Sequence, residues 1–297
     1  MIVKPDHSAE CGMRNVECGM QQPTQHAIRN TSLAFTLLEL LTVIAIMGIL
    51  AAIALPSLRS LKPNAKVAGT RQLLDAVGRA RQLALSQRTK VYMVFVGTNF
   101  WTDPAYAYAS WSSNDQAAAT SILDKQLVGY AYVCLQSVGD QPGVHIPRYL
   151  SSWKTLPQGA YISLEKFTPA TPTSTPVLRI PPTGVPAYQV YGFNYTTSVP
   201  FPSETTPPVP GARPYIALPY IAFDGTGQLI SGQSGQQELI PVSEGSVGYA
   251  RDPNTKIAVA QSPQANEVPA GNTLDNYSLI YIDRLTGRAR VERRKVQ

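Results

Sequence analysis

The chain has 297 residues, 44% hydrophobic and 15% charged, with a formal net charge of +6. That length holds one large or two small domains plus an anchor, and so low a charged fraction argues against a soluble cytosolic enzyme. Of the three cysteines, Cys11, Cys18 and Cys134, the first two have six residues between them, which fits no zinc or redox spacing, and without them no intrachain disulfide remains possible. The charge is uneven: the first 34 residues balance to zero, the 14 residues from Arg284 onward carry +5, and +1 is left for everything between.

Residues 1–34 lack periodicity and read as a leader peptide, with Met1, Met13 and Met20 as candidate starts; Met20 gives the more conventional short leader. Residues 35–58 are predicted as a transmembrane helix. Leu40 to Leu58 carry no charge, and at about 1.5 Å per residue the helix crosses a hydrocarbon core ~30 Å thick. The run is too long for a Sec signal peptide and ends without a small-x-small site. Glu39, near its start, is the acid that needs explaining. A charge in hydrocarbon is costly and points to a partner, whereas at a helix N-terminus the macrodipole alone favours it. A globular core helix gains nothing from an acid there. Pro56 is placed to kink the helix or open one turn.

Residues 59–90 read as the soluble half of one long, interrupted helix. Leu58, Leu61, Ala65, Ala68, Leu73, Leu74, Val77, Ala80, Leu83 and Ala84 form an apolar stripe, while Arg59, Lys62, Lys66, Arg71, Arg79 and Arg81 take the other face. Pro63 and Gly69 interrupt it. From residue 91 to 297 the pattern is antiparallel β. The strand candidates are KVYMVFVG, QLVGYAYVCLQ, YISLEKF, YIALPYIAFD, GQLI, YSLIYID and RARVERR. Residues 169–219 hold 13 of the 25 prolines and read as an extended insertion rather than a sheet centre. The predicted fold is therefore α+β, a long N-terminal helix packed by its second half on an antiparallel β-sheet domain.

FTLLELLTVIAIMGILAAIALP, from Phe35 to Pro56, resembles the start of type IV prepilins, the family that includes the type II secretion pseudopilins. The Phe-Thr-Leu opening, the acid at Glu39 and the kinking proline at Pro56 carry the likeness. The resemblance implies that a prepilin peptidase cuts between Ala34 and Phe35 and that Phe35 is N-methylated. It implies that Glu39 pairs with the amino terminus of a neighbouring pilin or pseudopilin during filament assembly. It further implies a single-pass protein of the bacterial inner membrane with its C-terminal domain in the periplasm. Ala34 stands where the family prefers glycine. Arg59, Lys62 and Lys66 lie on the outer side, against the positive-inside bias, so orientation comes from the family and not from the charges. LLDAVGRARQLALSQRTKVYMVF, with Ala80, Arg81 and Ala84 in an Ala-Arg-x-x-Ala pattern, resembles minor pseudopilins of the GspH/FimT type, as do LPQGAYI, IAFDGTGQL and LIYIDRLTGRARV in that order. The related verrucomicrobial cassette pseudopilins end similarly, and both assignments stay open.

In TGRARVERRK, Thr286 and Gly287 read as a hairpin turn. Arg288 and Arg290 then share a strand face, and Arg293, Arg294 and Lys295 extend the basic patch. Clustered guanidinium groups suit phosphate, and Gly287, Arg288 and Arg290 match a Gly-Arg-x-Arg motif of FimT-type proteins that bind DNA during uptake; the alternative is a solvated basic tail or one near anionic lipid. DNA or a secreted protein is thus a candidate partner. DGTG, Asp224 to Gly227, reads as a turn between strands, not a protease or calcium loop. His7, His26 and His145 are isolated, and no nucleophile–base pair or phosphate-cradling loop is present. No enzyme, metal or cofactor is expected. Cys134 reads as a buried small hydrophobe, and Trp101, Trp111 and Trp153 as core or loop anchors.

Overall fold

The computed structural model describes residues 36–60, 65–136, 147–169, 175–181, 188–201, 215–232 and 237–293, with backbone alone for 51–60. The chain forms two units, Met1–Ser60 and Leu61–Gln297.

In the first unit, α1 (Leu37–Ser60) is one 24-residue helix that runs on through Pro56. Leucine, alanine, methionine and isoleucine tolerate helix well. Thr36 starts the helix by accepting from Glu39 N at its Oγ1 (3.2 Å) and from Leu40 N at its carbonyl (3.1 Å). Every side chain described in it, through Leu50, is exposed. Among the described residues no helix is long and apolar enough to cross a membrane.

The second unit is α+β, as expected. It comprises α2 (Ala65–Gln87), β1 (Val91–Phe95), α3 (Ser113–Leu123), β2 (Gly129–Cys134), β3 (Arg148–Tyr149), β4 (Lys154–Thr155), β5 (Ala160–Ile162), β6 (Leu178–Ile180), β7 (Tyr188–Val190), β8 (Ser198–Pro200), β9 (Tyr215–Ala217), β10 (Tyr220–Phe223), β11 (Glu238–Gly248), β12 (Gln264–Glu267), β13 (Ser278–Ile282) and β14 (Ala289–Arg293). All named pairings are antiparallel. One sheet runs β10-β1-β2-β3, with β4 also on β2; the other runs β12-β11-β13-β14, with β5 also on β11.

Strand alternation divides the core. Met93 and Phe95 of β1, Tyr130 and Tyr132 of β2, Ile240 and Val242 of β11, and Ile280 and Ile282 of β13 join Leu73, Val77, Ala80 and Ala84 of α2 in one cluster. The other face of the first sheet, with Val94, Ala131 and Ala222, packs on Ile122 and Leu123 of α3 and on Val199 and Ile216 of the β8–β9 pair. The other face of the second sheet, with Leu279 and Tyr281, is covered by Ile180 and Val190 of the β6–β7 pair.

Several expectations change. The buried stripe of α2 is Lys66, Gly69, Thr70, Leu73, Ala76, Val77, Ala80 and Ala84, so Lys66 moves from the basic face to the interior and Ala68 is exposed. The Lys66 ammonium donates to the Asn272 carbonyl (2.8 Å), to Asn272 Oδ1 (3.2 Å) and to the Asn276 carbonyl, which makes its burial tolerable. GQLI forms only an isolated bridge from Leu229 to Phe223, and YISLEKF passes from β5 into a 3-10 turn at Leu164–Phe167. The described parts of 169–219 supply β6 to β9 and the fully buried Ile180, Val190, Phe193, Val199 and Phe201, so this stretch lines the core. Phe193 lies under the buried Lys166 ammonium, 4.6 Å from its ring centre, which pairs with Glu238 and donates to the Tyr191 carbonyl (2.7 Å). The segment 61–64, with Pro63, lies outside the described residues.

Candidate functional site

Two features from the sequence carry candidate function: the start of α1 and the basic C-terminal end. Ala34 and Phe35 lie outside the described residues. Glu39 sits in the first turn of α1 and is exposed. Around it Leu37, Leu38, Ile44, Met47 and Leu50 are between 61% and 83% exposed. A helix that is apolar on every side requires cover from lipid or from other helices. Thr42 Oγ1 donates to the Glu39 carbonyl (2.8 Å), a bond that keeps this hydroxyl satisfied without water.

At the other end, Asp283 closes the turn between β13 and β14. Its Oδ1 accepts from Thr286 N (2.8 Å) and Thr286 Oγ1 (2.7 Å), and these bonds from Thr286 hold its carboxyl below the usual range. Gly287 takes φ +62. Gly287 N donates to the Asp283 carbonyl (2.8 Å) and Asp283 N to the Arg288 carbonyl (2.9 Å), which makes the glycine a G1 bulge. Asp224 builds the neighbouring DGTG turn in the same way. Burial pushes its carboxyl upward, but bonds from Thr226, Gln228 and Gly227 outweigh that and hold it low. Arg81, from the Ala-Arg-x-x-Ala pattern, donates through Nε to the Thr286 carbonyl (2.7 Å) and so fastens α2 to the β13–β14 turn.

The three arginines among the described residues do not share one face. Arg290 pairs with Glu292 (2.7 Å) and lies over the Tyr281 ring, 4.0 Å from its centre. Arg293 falls on the opposite face of β14 from Arg290 by alternation. Arg288 is exposed just before the strand, and Arg294 lies outside the described residues. No local pattern signals that Glu292 and Tyr281 engage Arg290; only the register Tyr281↔Arg290 brings the ring and guanidinium together.

No group of three or more histidine, cysteine, aspartate or glutamate side chains able to hold a metal occurs among the described residues. Cys134 is buried, and Trp101, Trp111 and Trp153 pack at the edge of the second cluster. A family model described as the prokaryotic N-terminal methylation motif matches residues 29–55. No curated protein and no solved structure matches the chain.

Proposed function

We propose that this chain, whose residues 29–55 match the prokaryotic N-terminal methylation motif, is a minor pseudopilin of the type IV prepilin family. The motif implies processing by a prepilin peptidase and assembly with other pilins. On this reading the cut falls between Ala34 and Phe35, Phe35 is methylated, and α1 anchors the protein in the inner membrane with its second unit in the periplasm. It then joins a type II secretion pseudopilus or a related type IV filament.

The observation that carries the reading is the all-round apolar exposure of α1 from Leu37 to Leu50. At about 1.5 Å per residue its 24 residues extend about 36 Å, with side chains described only as far as Leu50. The same surface moves from lipid into a bundle of like helices with little change in apolar cover, so assembly is decided by polar groups and shape. Glu39 supplies the polar group. Among the described residues it has no ion pair, and a neighbour's new amino terminus gives it one only when the two helices are in register.

Intact-mass and N-terminal peptide analysis of the membrane-extracted protein, with and without co-expressed prepilin peptidase, tests this. A peptidase-dependent chain starting at N-methylated Phe35 is expected; retention of the leader under both conditions would remove the reading. Glu39→Gln should leave processing intact and reduce recovery in sheared filaments severalfold.

A second reading, DNA capture during uptake, draws on the exposure of Arg288 and Arg293. Arg288→Gln with Arg293→Gln should weaken binding to duplex DNA and flatten its salt dependence. Absence of binding by the unaltered protein at low salt ends that idea.

A further inference from the structure

Three segments far apart in sequence converge where α2 ends. A Cβ on Gly225 would lie 2.9 Å from the Arg88 carbonyl carbon, and one on Gly287 would lie 2.0 Å from the Gly227 carbonyl oxygen. The Arg284 carbonyl accepts from Leu229 N (3.0 Å). These contacts bring the backbone at Arg88, Arg284 and the turn before Arg288 to one end of the second unit. Among the described residues none of their guanidinium groups has a hydrogen bond or ion pair. Arg88 holds φ +48, a left-handed backbone that glycine adopts freely and arginine only at a cost, as the last turn of α2 gives way to β1.

The pole continues into a free strand edge. Asp283 N pairs with the Arg288 carbonyl and Tyr281 with Arg290, so Arg288, Arg290 and Glu292 spend their backbone groups on β13. Ala289, Val291 and Arg293 point theirs outward. Among the described residues no strand pairs with that side of β14.

We propose that this pole and edge dock an acidic, extended segment of a protein partner, which adds to the second sheet as a strand beside β14. Its backbone pairs with Ala289, Val291 and Arg293, and its carboxylates meet Arg88, Arg284 and Arg288. Leu285, 75% exposed at the turn, and Leu85, 38% exposed beside Gly227, offer one of its side chains an apolar seat. The same details disfavour nucleic acid. Asp224 and Asp283 stand ionised within the two turns, Glu292 neutralises Arg290 on β14, and a line of open backbone donors and acceptors suits a polypeptide. A second copy of this chain fits poorly, since its own edge carries like charge. The surface acts independently of α1 and of filament assembly.

The test uses the full chain in detergent micelles and a short labelled peptide of alternating glutamate and valine, read by fluorescence anisotropy. Saturable binding that weakens with salt is expected. Arg88→Ala, Arg284→Ala and Arg288→Ala together should weaken it about tenfold. Methylating alternate backbone nitrogens of the peptide should abolish it without touching the protein. A lysine-for-glutamate peptide should not bind. No binding of the acidic peptide, binding indifferent to backbone methylation, or tighter binding of a duplex oligonucleotide would each overturn the proposal.

Discussion

Lys66 sits within the first turn of α2, and its ammonium enters a pocket of carbonyl oxygens from the loop before β13. Burial brings its pKa down to about 8, against the upward pull of Glu244 and Glu267. Between about pH 8 and the ordinary value of 10.5 the unfolded chain holds a proton that the folded chain has released. This group therefore makes folding more favourable as pH rises through that window, while below it both states are protonated and the charge is buried at full cost. Lys66→Met removes the effect and leaves the Asn272 and Asn276 carbonyls without their donor, so it should lower stability at neutral pH by about 1–3 kcal/mol. The difference in Tm between the two proteins should widen from pH 8 to pH 10.5; a constant gap would show that the amine does not titrate there. Sequence spacing assigned Lys66 to solvent because lysine is rarely buried. Its partners lie 206 and 210 positions away, and no local pattern reports a contact of that range.

At the scale of elements, α2 is held by close approach as much as by apolar burial. A Cβ on Gly69 would fall 2.4 Å from Ala160 Cβ, whereas one on Gly78 would touch nothing within 4 Å. The two glycines of one helix should thus respond in opposite directions. Gly78→Ala should stabilise by about 0.5–1 kcal/mol, and Gly69→Ala should destabilise, as chemical denaturation midpoints would show. Gly287→Ala should cost at least about 1 kcal/mol, since φ +62 is strained for alanine and the Gly227 carbonyl blocks the added methyl. β1, β2 and β13, buried along their whole length and rich in β-branched and aromatic residues, were legible in the sequence, as was β14. β11 was not, although with 11 residues it is the longest described strand. Pro241 and Gly245 read as breakers, but Pro241 stands at the last pairing with β13, beside the first with β5, and Gly245 at the start of pairing with β12. α3 was missed as well. Its signal was the Ser112 cap, which accepts from Asp115 N (3.2 Å) and donates to the same aspartate (2.8 Å).

For the whole molecule, the division into two units governs behaviour. The three core clusters draw on residues from Leu73 onward, so a chain beginning at Leu61 should fold by itself. Its Tm should lie within a few degrees of the full protein's, and it should stay in solution without detergent. A large loss of Tm would mean that the first unit supports the second. The amino-terminal motif was legible because its message is local: a run of apolar residues with one acid at Glu39, within the stretch 29–55 that the methylation-motif family matches. The basic end was legible only as composition. Which arginines are committed and which are free depended on the pairing of β14 with β13, and Arg290 turned out to be engaged within its own strand.

The clasp between Arg81 and Thr286 spans 205 positions, and that between Lys66 and Asn272 spans 206. During synthesis, therefore, the second helix emerges long before anything that can satisfy it. Its apolar stripe and its two cations wait through the appearance of nearly every strand, and the body can close only when the hairpin of β13 and β14 arrives. Contacts of such range slow folding, and they make it conditional on the far end of the body. A chain interrupted before Thr286 would lack the Arg81 clasp and leave one edge of β13 unpaired, a feature that holding chaperones and proteases seize. In this architecture the helix made early is completed only by a hairpin made some two hundred residues later.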